Sequence, residues 1–192
     1  MKAVLLIVLA FYTTTAFSQS VARLDIKNGF RNYKFGAKIN TYPGMVYLSG
    51  PYGRKYYEKR PEDLRVADQR ARSIQYSTTA KGLLYCISIS MGRTALLNLV
   101  EIYTGIYGKP VEGNVTETDT GHVVSTNYQW SGKKVELSVN VSWDDPYAGF
   151  IRYIHDGLSE LATKEMAAKD KADREKAARD KAAREKKSFN DL

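Results

Sequence analysis

The segment VELSVNVSW, Val135 to Trp143, constrains this chain more than any other. Val135, Leu137, Val139, Val141 and Trp143 alternate with Glu136, Ser138, Asn140 and Ser142, and successive side chains of an extended chain point to opposite faces. The segment therefore predicts a strand with one apolar face and one polar face. A sheet built from such strands must cover its apolar side with another layer.

Neighbouring segments supply the partners. HVVSTNYQW runs through SGKK into VELSVNVSW, with Gly132 at the reversal, which predicts a hairpin. A second hairpin is expected from SIQYSTT and LLYCISIS around AKG, with Gly82 in its turn. Between them lies TALLNLVEIYTGIYGKP, where Leu96, Leu99, Val100, Tyr103 and Tyr107 recur at helical spacing. Thr94 is the expected cap, and Gly108 and Pro110 stop this helix. FIRYIH reads as a further strand, before DGLSELATKEM opens a final helix. Upstream, FRNYKFGAKINTYPGM predicts a strand leading into a loop or short helix, and YGRKYYEK another strand. The expected fold is α+β: an antiparallel sheet of hairpins with helices packed on one face, followed by a long exposed charged C-terminal helix. A helical piece followed by about three strands occurs twice along this pattern, so an internal duplication is expected.

The chain opens MKAVLLIVLAFYTTTAFSQS: one base at Lys2, an apolar run from Ala3 to Tyr12, then small residues at Ala16 and Ser18. That order predicts a secretory signal peptide, residues 1–18, with Gln19 first in the exported protein. The run is short of the roughly 20 residues of a membrane span, and no Cys follows the cut to carry a lipid. The expected product is periplasmic or secreted, with neither a lipid anchor nor a transmembrane segment after cleavage. A single folded domain, residues 19–161, is long enough to bury its own core. The one cysteine, Cys86, cannot form an intramolecular disulfide and lies between apolar neighbours, which predicts a buried, inert thiol.

The signal peptide, the NGFRNYKFG opening, the helix ending in YGKP, the YQWSGKKVELSV hairpin and the charged tail ending in DL together resemble small exported proteins of Bacteroidota. The order helix, Gly-x-Pro, strand is also similar to the BamE and β-lactamase-inhibitor type of exported α+β module. This resemblance implies a noncatalytic role in binding other proteins. It assigns no ligand residue.

A formal charge of +8 permits attraction to anionic polymers. Export and the absence of an aromatic RNP motif argue against a nucleic-acid partner. The expected partner is an anionic envelope polymer or another envelope protein. The candidate surface is YLSGPYGRKYYEKRPEDLR, where Arg54, Lys55, Lys59 and Arg60 interleave with Tyr56 and Tyr57. Tyrosine offers broad contact area, and basic groups bind carboxylate, sulfate or phosphate. A solvated edge strand, protected by its charges, is the competing reading.

Catalytic and metal signatures are lacking: no HExxH, GxSxG, ligand cluster or phosphate-cradling loop occurs. His122 and His155 read as surface or strand-end residues, and no catalytic residue, metal site or cofactor is expected. One enzymatic alternative stays open, a small glycan-directed envelope hydrolase, because two carboxylates facing across a cleft suffice for that chemistry. Its loop candidates are Glu58, Glu62, Asp63, Glu112, Asp144, Asp145 and Asp156.

Residues 162–192 form a tail of alanine and paired charges whose five-residue units spread equivalent positions around a helix axis and leave no apolar stripe. Local terms must hold such a helix. Alanine favours it, and the expected pairs four apart are Glu165/Lys169, Asp170/Arg174, Glu175/Arg179, Asp180/Arg184, Lys171/Glu175, Lys176/Asp180 and Lys181/Glu185. At about 0.2–0.5 kcal/mol each they total roughly 1.5–3.5 kcal/mol. The tail is expected to be an exposed spacer or a weak electrostatic contact.

Overall fold

A computed structural model describes residues 21–49, 55–117 and 123–190. The signal-type segment, Arg54 and His122 lie outside the described residues.

Alternation of side chains sets the architecture. Eight strands form one antiparallel sheet: β3 (Met45–Ser49), β4 (Lys55–Lys59), β7 (Ser73–Thr78), β8 (Leu84–Ser90), β9 (Val111–Glu117), β10 (Val123–Ser131), β11 (Val135–Ser142) and β12 (Gly149–His155). Their order across the sheet is β3-β4-β7-β8-β12-β11-β10-β9. Each half is a meander in chain order, and the halves meet where β8 pairs with β12. A helix precedes each meander: α1, residues 21–27, and α2, Arg93–Tyr107. The duplicated unit is thus a helix followed by four sheet strands, one more than the sequence suggests. Two small hairpins, β1 (Gly29–Phe30) with β2 (Tyr33–Lys34) and β5 (Arg65–Val66) with β6 (Gln69–Arg70), decorate the first unit.

One face of the sheet is dry. Ile74 and Tyr76, Ile87 and Ile89, Ile151 and Tyr153, Leu137 and Val139, and Trp130 follow one another across the register and are all buried. Leu96, Leu99, Tyr103 and Tyr107 of α2 cover that face, as their spacing predicts. Burial of those four side chains contributes on the order of 6–12 kcal/mol before the entropy of ordering them is subtracted. Gly149 permits the close fit, since a Cβ there would lie 2.4 Å from Leu96 Cδ1. Trp130 donates its indole N–H to Gly108 O at 2.7 Å, and the hydroxyls of Tyr103 and Tyr153 share a buried hydrogen bond of 2.8 Å. Burial pushes Tyr103 up to about 12 and Tyr153 well above the ordinary tyrosine range.

Thr94 does not cap α2. Gly92 occupies the cap position without a side-chain hydrogen bond, and the first helical amide, Arg93 N, donates instead to Pro146 O at 2.9 Å. The turn before β12 thereby does what a cap side chain would have done.

α1 closes the other end of the dry face with Leu24, and its Asp25 reaches the β10–β11 turn. One carboxylate accepts N–H bonds from Lys133 (2.6 Å), Lys134 (2.8 Å) and Val135 (3.0 Å). Burial pulls the Asp25 pKa upward, but these three bonds and the Lys134 charge bring it below the usual carboxylate value. Gly132 makes room, because a Cβ there would sit 2.6 Å from Asp25 Oδ1.

α3, Asp156–Asn190, follows β12 directly. His155 Nδ1 accepts the Leu158 amide at 3.4 Å, and Asp156 in the first turn suits the positive end of the helix dipole. Ala162 is buried and Glu165 accepts the Ala80 amide at 2.6 Å, so contact with the body extends past residue 161. Residues 171–181 are exposed on every side. The expected Glu165/Lys169 pair does not form: Glu165 is taken by Ala80, and Lys169 pairs with Asp173 at 2.7 Å.

Candidate functional site

The second face of the sheet carries the polar half of each alternating strand. Cross-strand register sets these residues in rows. Gln75, Ser88, Arg152, Ser138 and Gln129 form one, and Ser73, Ser90, Phe150, Asn140 and Asn127 form the next. At about 4.8 Å between strands the sheet is about 34 Å wide. The α1 and α2 layer lies on the opposite side, so among the described helices only the first turns of α3 border this face.

Where α3 passes, the face deepens into a groove of roughly 210 Å³. Ser159, Thr163 and Met166, spaced to share one side of a helix, make its wall. Ser77, Cys86, Ser88, Arg152 and Ile154 make its floor, with Tyr56 and Tyr85 also lining it. Tyr85 reaches the same side as Cys86 through a β-bulge, since Ser77 pairs with Cys86 and Thr78 with Leu84, which leaves Tyr85 as the extra residue. Arg152 lays its guanidinium over the Phe150 ring, 4.7 Å from the centroid. Among the described residues no carboxylate lies within ion-pair distance of Arg152. Cys86 is a buried thiol, with Sγ 3.7 Å from Ser88 Oγ.

Next to the groove, and sharing Ile154, Ser159 and Thr163 with it, is a shallower pocket of roughly 530 Å³ lined also by Glu136, Asp156, Glu160 and Lys164. Burial, then repulsion from Asp156, lifts the Glu136 pKa against the pull of Arg152. Asp156 is lifted too, by burial first, with Asp25 and Glu160 adding to the rise while His155 opposes it. Gln129 Nε2 donates to Glu136 Oε2 at 2.8 Å.

The basic tyrosine segment is dispersed. β4 is flanked by β3 and β7 and is not an edge strand. Tyr56 faces the groove, whereas Tyr57 turns to the other face and meets Tyr47 edge-on at 5.6 Å. Lys55 Nζ donates to Ala80 O at 2.9 Å, and Arg60 pairs with Glu58. Lys59 lies over the Tyr33 ring at 5.7 Å, and its hydrogen bond with the Tyr33 hydroxyl raises its pKa. Of the six residues, five are described and only Tyr56 borders the groove.

Most loop carboxylates serve the fold. Glu62 accepts from Arg31 at 2.9 Å and from the Tyr76 hydroxyl at 2.6 Å. Asp63 and Asp145 accept amides two residues ahead. Two pockets gather loop candidates with other carboxylates: Glu58 and Glu62 share one of roughly 240 Å³ with Lys59, Arg60 and Arg72, and Asp156 shares the other with Glu136 on a strand and Glu160 on a helix. Among the described residues no group of three His, Cys, Asp or Glu could hold a metal ion. No helix among them is long and apolar enough to cross a membrane. No family model, curated protein or solved structure matches the chain.

Proposed function

We propose that this chain is an exported, noncatalytic binding module of the cell envelope, and that the open polar face of its sheet is the contact surface. The observation that carries the reading is the polar face itself, which among the described elements is bordered by α3 alone. Five of the eight strands hold rows of mostly Ser, Asn and Gln at fixed spacing on a rigid core, with a groove at one side. Neutral hydroxyl and amide groups cost less to desolvate than charges and can donate and accept. The signal-type N-terminus supports export, and the positive net charge favours an anionic envelope polymer or an envelope protein as partner.

Co-sedimentation with insoluble envelope polymer tests the reading. Gln75→Glu with Asn127→Glu, on the open face, should reduce retention at least tenfold. Ile106→Ser, on the exposed side of α2, should leave it unchanged. Equal retention of all three proteins refutes it.

One observation favours a second reading, a small glycan-directed hydrolase. Glu136 and Asp156 share a pocket and both hold protons more tightly than ordinary carboxylates, as a general acid must. Release of reducing ends from envelope glycan, abolished by Glu136→Gln, would establish it; no release excludes it.

A further inference from the structure

The groove beside α3 has a chemistry more specific than the rest of the face. We infer that Arg152 and the hydroxyls around it form a subsite for a sugar carboxylate of the uronic-acid type. The inference rests on the proposed binding role of the open face and names the ligand chemistry there.

Arg152 is the anchor. Its guanidinium is planar, permanently charged, and presents paired donors that match the two oxygens of a carboxylate. Stacking on Phe150 at 4.7 Å holds that plane before any ligand arrives, and preorganisation lowers the entropy cost of binding. With no carboxylate of the described residues within ion-pair distance, the charge is available to a ligand.

Charge alone does not select among anions. Glu136, Asp156, Glu160 and Lys164 line the adjoining pocket, which shares Ile154, Ser159 and Thr163 with the groove. A dianion doubles its repulsion from the carboxylates and its attraction to Arg152 and Lys164 alike. Inorganic phosphate and sulfate are disfavoured because they bring no sugar ring to the hydroxyls of the groove.

The remaining lining selects what carries the carboxylate. Ser77, Ser88, Ser159 and Thr163 surround the groove with hydroxyls, and Tyr56 and Tyr85 bring aromatic rings to it. Hydroxyls that both donate and accept suit a polyol, and an aromatic ring suits the C–H face of a pyranose. A peptide C-terminus would call for an apolar pocket beside the arginine, but here Ile154 and Met166 are outnumbered by polar groups. Roughly 210 Å³ makes this a site for one residue of a chain that continues over the polar rows.

Titration of the isotopically labelled chain by NMR tests this. Sodium D-glucuronate should give saturable shifts at the amides of Ser77, Ser88, Arg152 and Thr163, with millimolar affinity. D-glucose, sodium sulfate and N-acetyl-alanine should each bind at least tenfold more weakly. Arg152→Gln should reduce glucuronate to the level of glucose, while Arg152→Lys keeps part of the difference; unchanged amide spectra elsewhere show that the fold persists. Equal affinity for glucuronate and glucose, tighter binding of sulfate, equal or tighter binding of N-acetyl-alanine, or no saturable shift in the millimolar range overturns the inference. Failure here with polymer retention still lost in the Gln75/Asn127 variant removes only the subsite. Retention that survives that variant removes the binding face as well.

Discussion

Asp25→Ala should destabilise the body more than the loss of an ordinary half-exposed carboxylate would, because this single side chain ties α1 to a turn more than 100 residues away. A net value of about 1.5–3 kcal/mol for a charge-assisted bond would give an upper figure near 6 kcal/mol for three. The site is half-exposed, however, and after truncation water can satisfy the Lys133 and Lys134 amides, leaving the Val135 amide as the main loss. A cost of about 2–3 kcal/mol follows, or a fall in Tm of about 4–12 °C. Asp25→Asn keeps an acceptor oxygen and should cost about half as much. Gly132→Ala should resemble the alanine variant, since its Cβ would meet the carboxylate at 2.6 Å. The folded-state pKa of Asp25 is depressed, so its contribution is full above the unfolded value of about 3.9 and is lost as pH falls through the folded value. The gap between parent and Asp25→Asn should therefore close as pH drops below about 4. Thermal melts followed by circular dichroism between neutral and acid pH measure both effects. A melting point for Asp25→Ala within about 2 °C of the parent at neutral pH would refute the reasoning.

Tyr103→Phe and Tyr153→Phe should each cost about 1–2 kcal/mol by leaving a buried hydroxyl alone, whereas the double variant should cost less than their sum; additive losses in denaturant melts would show that the 2.8 Å bond contributes nothing. Glu62→Ala should cost about 2–4 kcal/mol, because it leaves the Tyr76 hydroxyl and the Arg31 guanidinium without their shared acceptor; an unchanged denaturation midpoint would contradict that. Deleting Ala167 to Leu192 should leave the melting of the body nearly unchanged, since α3 meets the body through Ala162 and Glu165; a large loss of stability would make the tail part of the core. Intact-mass measurement of the exported protein should find Gln19 at its N-terminus, and a product retaining Met1 in the cytosol would end the proposal of export.

The elements legible from sequence are those whose period is local. β10–β11, β7–β8, α2 and β12 follow from repeats of two and of about 3.6 within single segments. The short β5–β6 hairpin carries too few residues for a period to emerge. The site was half-legible. Alternation in LYCISIS, VELSVNVS and FIRYIH states which residues share a face, but nothing local brings Cys86 opposite Ile154 or Ser88 opposite Arg152. The reverse error arises at Lys55 to Arg60, where neighbours in sequence alternate between faces and are separated by the pleat. Glu165 shows the same limit in the tail: four-residue spacing offers it Lys169, but tertiary structure offers it the nearer Ala80 amide.

The ends of the sheet, β3 on one side and β9 on the other, are unlike strands from opposite halves of the duplicated fold. Joining β3 of one molecule to β3 of another makes a pair that closes on itself, whereas joining β3 to β9 leaves a free β3 and a free β9 and repeats without limit. The fold thus holds the geometric ingredients of a filament. Irregular register between β9 and β10, broken on both sides of Ser125, spoils the straight template that such growth requires. A change that regularised those bulges would lengthen the template and shift the molecule toward concentration-dependent polymerisation, without touching either its core or its polar face.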